Sequence, residues 1–226
     1  MNRSSLQILY EDNHLLAVVK PAGLATMGVA AGKASLLTLA KQYIKARCGK
    51  PGNVYLGVVS RIDEPVSGVV VFARTSKAAA RLSRQFHSRT VEKVYWAIIE
   101  QEINPPSGEW VDFIAKNEGL RRMVRVGCGA LGAQEARLAY RLLRQVPDGS
   151  LIEVRPETGR KHQIRVQFSS RGFPVLGDQK YGSRRPFSSG IALHARRLAL
   201  DHPISKDRIE FTAPVPVAWR SSGVNE

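Results

Sequence analysis

The run Gly68-Val-Val-Val-Phe-Ala73 carries no polar side chain at any position. Successive side chains of a strand point to opposite faces, so a half-exposed strand alternates apolar and polar residues. A run without that alternation reads as a buried strand, and the rest of the fold must be built around it. Directly ahead of it stands Ser60-Arg-Ile-Asp63, then Glu64-Pro65-Val66 and a Ser67-Gly68 turn. If the segment is extended, Arg61 and Asp63 share a face, being two apart. A carboxylate beside a guanidinium at the entrance to a buried strand is either a structural ion pair or a catalytic acid.

The flanking sequence supplies short elements of both kinds. Leu6–Tyr10 and His14–Val19, separated by Glu11-Asp12-Asn13, read as a hairpin. Residues 35–48 place Leu36, Leu39, Ala40, Tyr43 and Ile44 at helical spacing, capped by Ser35 and ended by Gly49. Ser76–His87 predicts a basic amphipathic helix with Ala79, Leu82 and Phe86 on one face. Strands are expected over 54–59, 68–73, 91–100, 110–116, 123–126, 151–155, 191–200 and 208–212. Residues 133–146 satisfy both periods, and the clean alternation of the polar positions favours a strand. Residues 158–171 read as a turn and a basic helix. The Arg-rich loop 177–190 is expected to be mobile and near a ligand. Strands outnumber helices at short spacings, so the expected class is α+β. It has a mixed, mostly antiparallel sheet with flanking helices, as a single domain over 1–226.

Lys and Arg outnumber Asp and Glu by 34 to 19, a net charge of +15. That excess points to a polyanionic partner, nucleic acid ahead of a membrane surface, because no basic amphipathic anchor stands out. Cys48 and Cys128 form no Cys-x-x-Cys unit, which argues against a disulfide scaffold or a zinc site and fits a reducing compartment. No secretory h-region and no apolar run approaching the roughly 18 residues of a membrane span is found. The expected location is cytoplasmic, with no membrane association and no metal.

Several chemistries can be weighed on the residues alone. Gly127-Cys-Gly-Ala-Leu-Gly132 matches G-x-G-x-x-G, but a dinucleotide site needs a helix after it, and the alternation beyond argues for a strand. A Gly-rich hairpin loop is the plainer reading. The five histidines show no ligand spacing, and no Gly-x-Ser-x-Gly elbow is present. Residues 157–167, Glu-Thr-Gly-Arg-Lys-His-Gln-Ile-Arg-Val-Gln, are dense in donors. They form either a solvated basic helix face or a fixed guanidinium that holds a phosphate or a carboxylate. Lys93 and Tyr95 share one face of a strand, where Tyr95 is a core aromatic or a platform for an extruded base.

Taken in order, these segments resemble the RluA-type pseudouridine synthases. Arg61-Ile62-Asp63 with Ser67-Gly68 and Ala73-Arg-Thr75 is similar to that family's Arg-Leu-Asp…Ser-Gly-Leu…Ala-Lys-Thr motif. Lys93-Val-Tyr95, Thr158-Gly-Arg-Lys-His-Gln-Ile-Arg165, Gly177-Asp178, Tyr181-Gly182, Leu193-His-Ala195, His202-Pro203 and Phe211-Thr-Ala-Pro214 follow in family order, after Leu9-Tyr-Glu-Asp12 and Lys20-Pro-Ala-Gly-Leu24. Ser60 stands where the family usually has His, and Glu64-Pro65-Val66 where it has a Lys-Asp-Thr-like run. An N-terminal S4-type domain, found in some members, is not expected. The resemblance implies isomerisation of uridine in ribosomal or transfer RNA to pseudouridine, without a cofactor or an obligate protein partner. It makes Asp63 the essential carboxylate, Arg165 its cation, Tyr95 the stack under the uracil, Ile164 a pocket wall, and Arg61 the residue that fills the vacated base stack. Two rivals stay open: an inactive RNA-binding relative, and a dinucleotide-dependent enzyme built on Gly127–Gly132.

Overall fold

The computed structural model describes residues 6–30, 32–49 and 51–225. The chain divides into two compact units, Met1–Glu92 with Ala195–Pro214 and Lys93–His194 with Val215–Glu226. The class is α+β with a mostly antiparallel sheet, as the strand spacing predicts.

In the first unit, β1 (Gln7–Glu11) and β2 (Leu15–Lys20) form the expected hairpin. Its turn is held by Asp12, whose Oδ1 accepts from the His14 and Leu15 amides at 2.7 and 2.6 Å. Helix α1 (Leu36–Cys48) opens on a Ser35–Thr38 capping box and closes on Gly49 in the left-handed region. The strand expected over 54–59 is reduced to β3 (Gly57–Val58). Strand β4 (Ser67–Ala73) pairs with β2 along its whole length, and α2 (Ser76–His87) follows, capped by Thr75. Strands five to nine belong to the second unit. The first is completed by β10 (Leu193–Asp201), from Ala195 onward, and by β11 (Arg208–Thr212).

The unbroken apolar character of β4 has a direct cause. Val69, Val71 and Ala73 face Ala78 and Leu82 of α2, together with Leu198, Leu200 and Phe211. Val70 and Phe72 face Leu36, Ala40 and Ile44 of α1. Both faces are covered, so the run Val69–Ala73 is apolar at every position. Burial of each such Val or Phe is worth roughly 1.5–3 kcal/mol relative to exposure. Ser67-Gly68 is no turn: both residues lie within β4. Gly68 sits at φ +124°, and a Cβ there would meet the Ala195 carbonyl oxygen at 2.3 Å. Only glycine permits that approach of β10.

In the second unit the strand order is β5-β9-β8-β6-β7, antiparallel throughout. The strands are β5 (Glu92–Ile99), β6 (Ser107–Asn117), β7 (Arg122–Val126), β8 (Gln134–Val146) and β9 (Gly149–Pro156). Residues 134–146 are a strand, with Ala136, Leu138 and Tyr140 buried and Arg137 and Arg141 exposed. Gly127–Gly132 lies in the hairpin loop between β7 and β8, and a strand rather than a helix follows it, which removes the dinucleotide reading. The segment expected as a longer basic helix yields only the seven-residue α3 (Gln163–Ser169). Residues 163–168 of it are all buried, because Val166 seats the helix on Ile114, Met123 and Ala136.

Candidate active site

The predicted residues fall in both units: Arg61 and Asp63 in the first, Tyr95, Ile164 and Arg165 in the second. Arg61 and Asp63 precede β4 in irregular backbone rather than in the extended strand their spacing suggested. Glu64-Pro65 makes a turn closed by the Val66 amide on the Asp63 carbonyl at 3.1 Å. The 20–26 segment grips the backbone on either side of Asp63. The Thr26 hydroxyl donates to the Ile62 carbonyl at 3.0 Å. The Glu64 carbonyl accepts from the Gly23 amide and from the Lys20 ammonium, both at 2.9 Å. Lys20 Nζ also donates to Pro21 and Leu24 carbonyls at 2.9 and 2.6 Å, and its side chain is fully buried. Burial pushes that ammonium down from its ordinary 10.5 to about 8, against the opposing pull of the Asp63 and Glu64 carboxylates. Asp63 is half-buried on this pinned turn, and Arg61 beside it is exposed, with no hydrogen bond or ion pair among the described residues.

In the second unit, Arg165 is not a solvated cation. Its guanidinium meets Asp178 bidentately, Nε to Oδ2 at 2.7 Å and Nη2 to Oδ1 at 2.9 Å, with both side chains nearly fully buried. It also lies over the Tyr181 ring, Cζ to centroid 4.9 Å. The Tyr181 hydroxyl accepts from the Met123 amide at 3.1 Å and shares a hydrogen bond with His162 Nδ1 at 2.7 Å. His162, at φ +56°, is the residue from which α3 starts. Ile164 is buried on the same helix. Tyr95 is half-buried on β5, paired with Val154 of β9. Lys93, on the same face of β5, donates to the Thr158 carbonyl at 3.2 Å.

The donor-rich segment therefore divides its labour. Thr158 Oγ1 and Gln163 are internal fasteners. The Thr158 hydroxyl accepts from the Arg137 amide at 2.9 Å and donates to Gln163 Oε1 at 2.7 Å. Gln163 Nε2 donates to the Arg137 carbonyl at 2.9 Å. The residues the sequence reading left without a role are Lys20, Thr26, Asp178 and Tyr181. Apart from Thr26 they stand inside the family-like motifs, yet nothing in spacing or composition says what they hold.

A model of the RNA pseudouridylate synthase family matches residues 14–170. Ribosomal large subunit pseudouridine synthase D of Zymomonas mobilis is 35% identical over 223 residues, covering 93% of this chain and 69% of that protein. The synthase D of Pseudomonas aeruginosa is 34% identical, covering 93% and 68%. The chain thus spans about two thirds of the length of these relatives. Among solved structures, Human RNA Pseudouridylate Synthase Domain Containing 4 superposes with a TM-score of 0.80 at 26% identity, over 96% of this chain and 91% of that one. The chain belongs to the RNA pseudouridylate synthase family, isomerases that convert uridine in RNA to pseudouridine.

Proposed function

We propose that the substrate is ribosomal RNA and that Asp63 is the essential carboxylate. The substrate reading rests on the relatives from Zymomonas mobilis and Pseudomonas aeruginosa, both described as acting on the large ribosomal subunit. The assignment of Asp63 rests on the family motif and, above all, on one observation: the carbonyls flanking it on both sides are fixed by buried donors. A reacting carboxylate gains from such preorganisation, since a misplaced group loses much of its advantage. Asp63 acts on the ribose, as nucleophile at C1′ or base at C2′, and both roles require it ionised. The N1–C1′ bond breaks, the uracil turns, C5 bonds to C1′, and the proton lost from C5 is balanced by one gained at N1. No cofactor enters the balance.

Arg165 serves as the cation of this chemistry, Tyr95 stacks on the uracil, and Ile164 bounds it. Extruding the target base costs a few kcal/mol, and Arg61, exposed and unpaired among the described residues, fills the emptied stack. The whole of 1–226 acts as one catalytic domain in the cytoplasm and needs no protein partner. No helix among the described residues is long and apolar enough to cross a membrane. The test is to incubate large-subunit ribosomal RNA with wild type and Asp63→Asn and map pseudouridine chemically. Wild type should modify a discrete uridine, and Asp63→Asn should lose turnover by at least about 10³-fold while binding RNA normally. Equal activity of the two would remove Asp63 from the chemistry. Modification of transfer RNA alone would replace the substrate.

A further inference from the structure

Residues 74–91 contain Arg74, Lys77, Arg81, Arg84, His87 and Arg89 and no carboxylate. Part of this charge is spent on the fold. Arg74 pairs with Glu11 at 2.9 Å, and Arg81 donates to the Pro203 carbonyl at 2.7 Å. Gln85 exchanges hydrogen bonds with the Asp201 backbone at 2.8 and 2.9 Å. With Ala78 and Leu82 these contacts fasten the inner face of α2. The outer face is different. Lys77, Arg84, His87 and, just past the helix end, Arg89 are exposed, and none of their side chains has a hydrogen bond or ion pair among the described residues. Two arginines elsewhere in the same unit are matched: Arg197 with Glu210 and Arg208 with Glu92, both at 2.6 Å. Lys77, in the first helical turn, opposes the helix dipole, whereas Arg84 and His87, in the last turn, are favoured by it.

Its location gives that charge a use. Ala79 packs against β3 so closely that a Cβ on Gly57 would lie 2.8 Å from the Ala79 Cβ. From Val58 the chain runs directly through Val59 and Ser60 to Arg61 and Asp63. Lys77 and Arg84 are seven residues apart, two turns and about 10 Å along one side of the helix. Ser76 before them and Ala80 and Ser83 between them are short, so an extended anion can come near the helix surface. We propose that the outer face of α2, with Lys77, Arg84 and Arg89, docks the phosphate backbone of the RNA that flanks the target uridine. This builds on the assignment of RNA as substrate and is independent of which carboxylate is catalytic.

The test uses the full chain and a labelled large-subunit ribosomal RNA fragment, with affinity measured across a salt series and turnover at saturating RNA. Each phosphate contact contributes roughly 0.7–0.9 to the slope of log affinity against log salt. Lys77→Gln/Arg84→Gln should flatten the slope by about 1.5 and raise KM on the order of tenfold, with kcat and thermal stability unchanged. Lys41→Gln/Lys45→Gln on α1 removes the same charge and should change neither. An unchanged slope for the α2 pair would overturn the proposal, as would an equal flattening by the α1 pair or a loss of kcat at constant KM. Wild type that binds no RNA would instead defeat the substrate assignment itself, and the docking surface with it.

Discussion

Lys20 ends β2 as a buried ammonium whose hydrogen bonds are all to backbone carbonyls, one of them in the turn that carries Asp63. Removing it leaves buried acceptors without donors, each worth about 1–3 kcal/mol. Lys20→Met should therefore lower unfolding free energy by about 3 kcal/mol in urea near neutral pH. The residue also sets a pH dependence. Its folded value of about 8 lies below the ordinary 10.5. Between those values the unfolded chain binds more protons than the folded one, so stability from this group rises with pH across that window. Below it both states are protonated and the contribution is flat. The gap between wild type and Lys20→Met should accordingly widen from about pH 8 to about pH 10.5, the window set by the shift. A gap that narrows would mean the ammonium is held more firmly than its burial implies. From sequence, Lys20 was legible only as part of a motif. Its role depends on carbonyls of residues 21, 24 and 64, and no local rule brings residue 64 to residue 20.

The elements divide along the same line between local and tertiary causes. Helices α1 and α2 begin and end where their caps say, because Ser35, Gly49 and Thr75 act within a few residues of themselves. Helix α3 did not follow its polar composition. Arg165 and Gln167 look like a wet face, but in the interior Asp178 neutralises Arg165 and Asp112 accepts from Gln167 Nε2 at 2.8 Å. Those partners are distant in sequence, which is why periodicity misread the segment. Strand β4 shows both causes at once. Its apolar run was readable as buried, whereas Ser67-Gly68 looked like a turn because glycine is ordinarily turn punctuation. The close pass of Ala195 explains that glycine. Gly68→Ala should cost on the order of 2–4 kcal/mol by urea unfolding, combining a left-handed φ with a backbone clash. Gly127→Ala is the control, since no atom lies within 4 Å of the Cβ it would add and its φ is not in the left-handed region. A small effect at Gly68 would mean that β10 yields to the added methyl.

For the whole molecule, the net charge of +15 pointed to RNA, but it does not count the cations available to RNA. Arg165 and Arg171 are committed to Asp178 and Asp112, and Arg137 and Arg197 to Glu135 and Glu210. A cation already paired with a carboxylate gives little when a phosphate arrives, because the exchange replaces one charge partner by another and adds few released counterions. Salt dependence should therefore follow the unpaired cations of the docking face of α2 rather than net charge. With on the order of five phosphate contacts the slope of log affinity against log salt is about −4, so a fourfold rise in salt weakens binding roughly two orders of magnitude. Arg137→Gln/Arg197→Gln lowers the charge by two, as Lys77→Gln/Arg84→Gln does, yet should leave that slope within about 0.3 of wild type. The comparison separates a field of diffuse positive charge from a built track for the backbone. If the paired and unpaired substitutions flatten the slope equally, the molecule attracts RNA through its overall field, and the ion pairs on its surface open readily enough to be exchanged for phosphate.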